Sequence, residues 1–135
     1  MSVVLPSALV IDDNWDNRNI FTISLEAAGY QITPAEDGIA AVALLEVNKY
    51  QLIILDLQMP KMDGRAVLQK IRSDPRHQKT QVIVVTANPH MATDEVDIEA
   101  DYVLYKPISV ASFTALTRRL KQPQTFENGH KAVDS

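Results

Sequence analysis

The sequence predicts an α/β fold in which a five-stranded parallel sheet is covered by helices on both faces. Five short apolar runs alternate along the chain with segments of helical periodicity. Three of these runs are apolar at every position, which is typical of strands that are buried on both faces of a parallel sheet. Right-handed connections between the strands then give a three-layer αβα sandwich.

The strands are predicted from the apolar runs, and the helices from apolar residues that recur on one face. The predicted strands are residues 8–11, 31–35, 52–55, 82–85 and 102–105. Asn14 and Ser109 are the expected caps of the first and last helices. The predicted buried faces are Ile20, Phe21, Ser24, Leu25 and Ala28; Ile39, Val42, Ala43 and Leu45 or Glu46; Val67, Leu68 and Ile71; and Phe113, Leu116 and Leu120. The weakest helical pattern covers residues 91–100, where Asn88 and Pro89 delay the start.

The chain has the length and composition of one soluble globular domain. It has 135 residues, of which 46% are hydrophobic and 22% charged, as in an ordinary folded domain. We expect one domain over residues 1–122. Residues 123–135 are polar and aperiodic, and they are expected to form a disordered tail or linker.

Charge and cysteine content exclude several kinds of function. The net charge of −4 argues against direct binding of nucleic acid or anionic membranes. The chain has no cysteine, which excludes disulfides, thiolate metal sites and cysteine nucleophiles. No apolar run approaches the ~20 residues that span a bilayer, so we expect a cytoplasmic protein. His77, His90 and His130 lack metal-ligand spacing and are expected to be exposed to solvent.

Five reactive side chains stand at the ends of the predicted strands. Asp12 and Asp13 follow the first, Asp56 the third and Thr86 the fourth, and Lys106 follows the fifth. The carboxyl ends of parallel strands lie along one edge of the sheet, where open α/β sheets bind their ligands. We therefore expect the five side chains to converge, although each alone would more often be a turn, cap or surface residue.

The chemistry of this cluster favours metal-assisted phosphoryl transfer. Two carboxylates ~4 Å apart repel by about 4 kcal/mol at an effective dielectric of 20, and one lysine against three aspartates leaves a charge of −2. Oxygen ligands of this kind suit Mg²⁺, or Mn²⁺ in its place. A carboxylate such as Asp56 can be the nucleophile and form an aspartyl phosphate. Lys106 and Thr86 could then hold the phosphoryl oxygens.

Four stretches of the sequence resemble the receiver domain of response regulators in two-component signalling, of the chemotaxis-regulator type. They are residues 10–14, 53–64, 84–87 and 105–107, and the resemblance extends over residues 7–120. It implies a flavodoxin-like fold with strand order 2-1-3-4-5. It also implies that a sensor histidine kinase or a histidine phosphotransfer protein phosphorylates Asp56. The domain would then be no enzyme, apart from its own phosphotransfer and autodephosphorylation.

The resemblance implies a role for each site residue. Asp13, Asp56 and the backbone carbonyl of Gln58 match the direct Mg²⁺ ligands, and Asp12 matches a residue that acts largely through a metal-bound water. Thr86 and Lys106 match the groups that contact the phosphoryl oxygens. The bond between Lys106 and Pro107 matches a peptide that is usually cis.

The sequence departs from the family pattern in the residues that transmit the signal. Val103 stands where an aromatic switch residue is usual, and Tyr102 and Tyr105 flank it. Only 20 positions separate Thr86 from Lys106, slightly fewer than is usual, which predicts a shortened or irregular fourth helix. Two further family positions, occupied here by Gln58 and Asn88, tune the loss of the phosphoryl group to water.

Two other functions compete with a phosphorylation switch. A receiver-fold scaffold would bind a partner without phosphorylation. A haloacid-dehalogenase-like phosphatase would use an aspartate nucleophile, but that family places its two aspartates one residue apart after the first strand, whereas Asp12 and Asp13 are adjacent. The downstream partner and the oligomeric state are left open, as is the choice between a stand-alone protein and an excised receiver. The output would be protein contact or relay of the phosphoryl group.

Overall fold

The computed structural model describes residues 5–121, which form five parallel strands and five α-helices. The strand order is β2-β1-β3-β4-β5, so the predicted fold class and strand order are confirmed. The strands are β1 (Ser7–Ile11), β2 (Gln31–Ala35), β3 (Leu52–Asp56), β4 (Gln81–Thr86) and β5 (Tyr102–Tyr105). The helices are α1 (Trp15–Ala28), α2 (Gly38–Val47), α3 (Gly64–Ser73), α4 (Asp94–Glu99) and α5 (Val110–Leu120). The predicted tail at 123–135 and His130 lie outside the described residues.

Two apolar cores lie on the opposite faces of the sheet. Leu9 of β1 belongs to the core beneath α2, α3 and α4, and its neighbour Ala8 belongs to the core beneath α1 and α5, as the alternation of side chains along a strand requires. The rings of Phe21 and Phe113 join α1 to α5, with centroids 5.1 Å apart. The three-layer arrangement follows from these two cores.

The helix boundaries follow from capping residues. The predicted caps Asn14 and Ser109 accept hydrogen bonds from backbone amides in the first turns of α1 and α5. Asp37, Asp63 and Thr93 cap the other three helices in the same way. Each cap satisfies an amide that has no partner within its helix, so five polar side chains fix where the helices begin.

The structure corrects the predicted buried face of α2. Gly38, Ala41 and Leu45 face the core, whereas Ile39 is 57% exposed and Ala43 is also exposed. Glu46 is the only charged or polar residue of the helix, so hydrophobic periodicity could not distinguish its two sides. The predicted buried face of α1 was wrong at one position, because Ile20, which was expected to be buried, is 47% exposed.

Helix α4 is short, as predicted, and Arg72 of α3 holds its C-terminal end. The helix has six residues and follows a 3-10 turn at Pro89–Met91. The Arg72 guanidinium donates to the carbonyls of Glu99 and Thr80, at 2.7 and 2.9 Å, and to the carboxylate of Asp101 at 2.9 Å. We call this arrangement the Arg72 clasp. It joins α3 to the start of β4 and to the loop before β5.

The structure also corrects the prediction for His77, which is buried with 2% of its surface exposed, whereas His90 is exposed. His77 ends a 3-10 turn at Pro75–His77, which packs beneath the C-terminal end of α2. Its Nε2 lies 2.9 Å from the carbonyl oxygen of Leu45. The sequence could not show this burial, because it depends on where the loop after α3 crosses the core.

Tyr30 ties the start of β2 to α5, and its removal gives a testable loss of stability. The hydroxyl donates to the carbonyl of Thr117 at 2.7 Å, and burial raises the pKa of Tyr30 to about 12, so the phenol remains a donor. We expect Tyr30→Phe to lower the free energy of unfolding in urea by about 1 kcal/mol. The control Tyr105→Phe, whose side chain is 51% exposed, should leave it unchanged. Equal effects of the two variants would contradict the assignment.

Within residues 5–121, no helix has both the length and the apolar character needed to cross a membrane.

Candidate functional site

Three aspartates form an acidic cluster at the carboxyl edge of the sheet. Carboxylate oxygens of Asp12, Asp13 and Asp56 all lie within 4.8 Å of one another. Asp12 and Asp56 are buried, whereas Asp13 is exposed. The cluster forms because β1 and β3 are neighbours, with Ile11 in register with Leu55. The next residue of each strand therefore reaches the same edge.

Asp12 is held by hydrogen bonds to both its backbone and its side chain. Its amide donates to the carbonyl of Ala35, and its Oδ1 accepts from the amide of Asn14 at 2.9 Å. Arg18 of α1 donates to its carbonyl at 2.8 Å. The sequence did not single out Arg18, because its contact depends on the path of the loop before α1. These bonds fix the position of the acidic pair.

Lys106, the residue that follows β5, is a cation that faces the acidic cluster. Its Nζ lies 3.4 Å from Oδ2 of Asp12 and 3.4 Å from Oδ2 of Asp56. The peptide bond between Lys106 and Pro107 is cis. One ammonium group therefore partly neutralises both buried carboxylates, and the described cluster retains a net negative charge.

Asp56 is an unusually basic carboxylate. Burial raises the pKa of Asp56 to about 6. The amide of Gln58, which donates to its Oδ1 at 3.0 Å, lowers the pKa. The negative charge of Asp12 raises it further, and the positive charge of Lys106 lowers it. The Gln58 side chain itself is exposed. At neutral pH the group is mainly ionised, but its charge is poorly compensated and available to a cation or an electrophile.

Gly64 permits the chain to pass close behind Asp56. Its amide donates to the carbonyl of Leu57 at 2.9 Å. A Cβ atom at this position would lie 2.5 Å from the carbonyl oxygen of Asp56 and 2.5 Å from the Cα of Leu57. Both neighbours are backbone atoms and cannot rotate away, so only glycine fits where α3 begins.

Thr86 is connected through one carbonyl to the turn that follows β4. Its hydroxyl is buried, accepts from the amide of Asn88 at 3.0 Å and donates to the carbonyl of Asn88 at 3.2 Å. The same carbonyl accepts from the amide of Met91 at 3.1 Å. The Asn88 side chain caps the 3-10 turn through the amide of His90. Thr86 and the Pro89–Met91 turn therefore share an acceptor, a link that the sequence did not reveal.

The three candidate switch residues of β5 lie on different faces. Val103 pairs with Val84 and packs against the core beneath α3 and α4, whereas Tyr102 packs against the core beneath α1 and α5. Tyr105 pairs with Thr86 and is 51% exposed. By strand alternation Tyr105 lies on the same face as Val103. It is therefore the tyrosine on the face that an aromatic residue at position 103 would occupy.

The donor set of the cluster fits a hard divalent cation. Three carboxylates supply oxygen ligands, one of them exposed to solvent, and exposure leaves room for water ligands. Mg²⁺ prefers oxygen ligands and usually retains several waters, and Mn²⁺ accepts the same set. The residues present are therefore compatible with either ion.

Comparison with known proteins identifies the chain's relatives. Residues 8–118 match the response regulator receiver domain. The chain is 38% identical over 119 residues to the DNA-binding dual master transcriptional regulator RpaA of Synechocystis sp., covering 86% of this chain and 49% of that protein. It is 33% identical over 110 residues to a probable chemotaxis protein CheY of Rhizobium etli, covering 79% and 85%. The chain thus spans about half the length of the first relative.

Solved structures agree with these matches. The receiver domain of Francisella response regulator 1452 is 30% identical, with a TM-score of 0.71, covering 86% of this chain and 96% of that one. The response regulator TrrA of Thermotoga maritima, solved in complex with Mg²⁺-BeF, is 28% identical, with a TM-score of 0.77, covering 86% and 99%. The likeness therefore extends over nearly the whole of the described chain.

Proposed function

Because the chain belongs to the response regulator receiver domain family, we propose that it is a phosphorylation switch whose acceptor is Asp56. The donor would be the phosphohistidine of a sensor histidine kinase or of a histidine phosphotransfer protein. The single observation that carries the proposal is the cluster in which Asp12, Asp13 and Asp56 lie within 4.8 Å of one another and Lys106 contacts two of them.

The reaction is an in-line transfer from nitrogen to oxygen. A carboxylate oxygen of Asp56 forms a bond to phosphorus while the bond from phosphorus to the donor imidazole breaks, and the electron pair of that bond returns to the ring nitrogen. Asp56 must be ionised to attack, and its pKa of about 6 allows this at neutral pH. A basic carboxylate is also a better nucleophile than a fully compensated one.

The acidic cluster is the proposed cofactor site. Asp13, Asp56 and the Gln58 backbone carbonyl would hold Mg²⁺ directly, and Asp12 would act largely through water; Mn²⁺ would accept the same ligands. The cation supplies neutralisation of the charge that gathers on the phosphoryl oxygens. The complex of TrrA with Mg²⁺-BeF supports this assignment by similarity.

The phosphoryl group would be held by Lys106 and Thr86. Lys106 already lies 3.4 Å from Asp56 and can turn its ammonium to the new oxygens. Thr86 would exchange its hydrogen bond to the Asn88 carbonyl for one to the phosphoryl group. The Asn88 carbonyl would then keep only one of its two hydrogen-bond donors, the amide of Met91. Met91, the other donor, packs against the same core as Val103. This gives the signal a route that needs no aromatic residue at 103.

The readout is proposed to be a change in protein contacts, or relay of the phosphoryl group to another histidine. Tyr105 is the exposed side chain beside Thr86, and it is our candidate for the surface that reports the change. Gln58 and Asn88 would set how quickly water removes the phosphoryl group. The side chain of Asn88 is engaged in the 3-10 turn, so its effect would depend on that turn remaining closed.

Acetyl phosphate and Mg²⁺ provide the direct test. We expect mass spectrometry to detect an adduct of about 80 Da, the mass added by one phosphoryl group, and to place it on Asp56. The adduct should be absent from Asp56→Asn and present in Asp16→Asn, which removes the same charge from an exposed position on α1.

Beryllofluoride gives a second, non-covalent readout. Trp15 is the only tryptophan, is 66% exposed and stands two residues after Asp13, so its fluorescence should report ligands at the cluster. The absence of both the adduct and any metal-dependent spectral change would contradict the phosphorylation switch and favour a receiver-fold scaffold that binds a partner without phosphorylation. Repeated turnover of a phosphomonoester would instead indicate a phosphatase.

A further inference from the structure

Helix α2 has an outward face that is apolar. Ile39 is 57% exposed and Val47 78% exposed, and Ala43 between them is exposed as well. The three residues are four apart and therefore lie along one side of the helix; Val42, half-buried, borders them. The opposite side of the same helix already faces the core through Gly38, Ala41 and Leu45.

An outward face of this kind is unusual for a surface helix. Such helices normally turn charged and polar residues to solvent, but Glu46 is the only one that α2 carries. A contiguous exposed apolar patch marks an interaction surface more often than a scattered apolar residue does. Ile39, Ala43 and Val47 therefore form an exposed apolar stripe, which we call the α2 stripe, and nothing in the described chain covers it.

The charges around the stripe are arranged so that it complements itself. At its N-terminal end Glu36 is exposed, whereas the neighbouring Asp37 is buried and already paired with Lys61, and the exposed Lys49 follows its C-terminal end. If two α2 helices pack antiparallel about a two-fold axis at Ala43, Ile39 lies opposite Val47 of the second copy. The same axis brings Lys49 beside Glu36 of the second copy, as an isologous interface requires. Ala43 at the axis allows the two helices to approach closely.

Glu46 also finds a favourable position in this arrangement. The antiparallel axis places it near the N-terminal turn of the second copy, where the helix dipole is positive. Lys61, whose Nζ lies 3.5 Å from Asp37, is 65% exposed at the same end. A parallel pairing would instead bring the two Glu46 side chains together. The charges therefore select one orientation of a second copy.

We propose that α2 is a homodimerisation surface, on which a second copy of this chain packs its own α2 antiparallel with Ala43 at the two-fold axis. The surface is independent of the acidic cluster and of Asp56. A helix of ten residues is only ~15 Å long and covers less than the ~800 Å² per partner of a standard interface. We therefore expect weak, transient association.

Sedimentation equilibrium from about 5 µM to about 1 mM tests this concentration-dependent association. We expect the apparent mass to approach that of a dimer for the unaltered chain and to remain that of a monomer for Ala43→Glu. The matched control is Ile98→Glu, at an apolar position of α4 that is 82% exposed, and it should still dimerise. Circular dichroism would verify that each variant is folded. A monomer at every concentration would overturn the proposal, whether or not another protein binds the stripe.

Cross-linking tests the orientation. The chain has no cysteine, so Ala43→Cys introduces a single thiol at the proposed axis, and mild oxidation should link two copies at least ten times faster than it links Ile98→Cys. Lys49→Glu should weaken the dimer, and adding Glu36→Lys should restore it. Equal linking rates, or no rescue by the paired charge reversal, would refute the antiparallel arrangement.

Discussion

Replacing Asp13 with asparagine is expected to lower the affinity for Mg²⁺ by about 100-fold, because a proposed ligand loses its charge while the protein keeps its fold. Asp13 is the exposed member of the cluster, so its substitution should change stability little. Titration of Mg²⁺ followed by the fluorescence of Trp15, two residues away, measures the effect directly.

The matched control for this prediction is Asp16→Asn. It removes one negative charge from the same end of α1, at an exposed residue outside the cluster. If the loss of affinity came only from the weaker overall field, both variants would show a similar, small change. A strong effect confined to position 13 would identify Asp13 as a ligand, whereas equal effects would argue against a specific site.

The stability of the metal-free protein is expected to depend on pH through Asp56. Burial raises the pKa of Asp56 from 3.8 to about 6, so folding favours the protonated form. The associated stabilisation is present below pH 4, is lost as the pH rises to about 6 and does not return above it. Asparagine has no charge to lose. Asp56→Asn should therefore be more stable than the unaltered chain at pH 7 and above, by about 3 kcal/mol.

Urea unfolding in EDTA at several pH values checks this. The difference between the two proteins should grow from pH 4 to about pH 6 and then stay constant. Added Mg²⁺ should reduce or reverse it, because the cation would bind the ionised aspartate in the folded state alone. A difference that is the same at pH 4 and pH 8 would show that Asp56 titrates normally.

The sequence predicted those features that depend on local pattern and on chain topology. Residues 52–55 are apolar throughout, and residues 31–35 follow the turn residue Gly29. Their short length and the turn residue favoured strands over buried helices, and both segments are strands. The convergence of Asp12, Asp56 and Lys106 at one edge needed only parallel strands in the order 2-1-3-4-5. Topology here carries side chains together from positions almost a hundred residues apart.

The features that the sequence missed depend on packing or on loop paths. Helix α2 could have buried either side, and the sheet selected the side with Ala41 and Leu45. His77 is buried because its turn runs beneath α2. The contacts of Arg18 with Asp12 and of Thr86 with Asn88 depend on backbone carbonyls, which every residue possesses, so no residue pattern could reveal them.

The Arg72 clasp has a mechanical consequence for any signal that leaves Thr86. A single guanidinium binds the end of α4, the start of β4 and Asp101 before β5. These three points are therefore held at fixed positions relative to one another. The 3-10 turn at Pro89–Met91 precedes α4, and the Asn88 carbonyl that accepts from the amide of Met91 in this turn also accepts from the hydroxyl of Thr86. We therefore expect displacement to grow towards residues 88–93 and to vanish at Glu99, so that the helix swings about its C-terminal end instead of sliding as a whole.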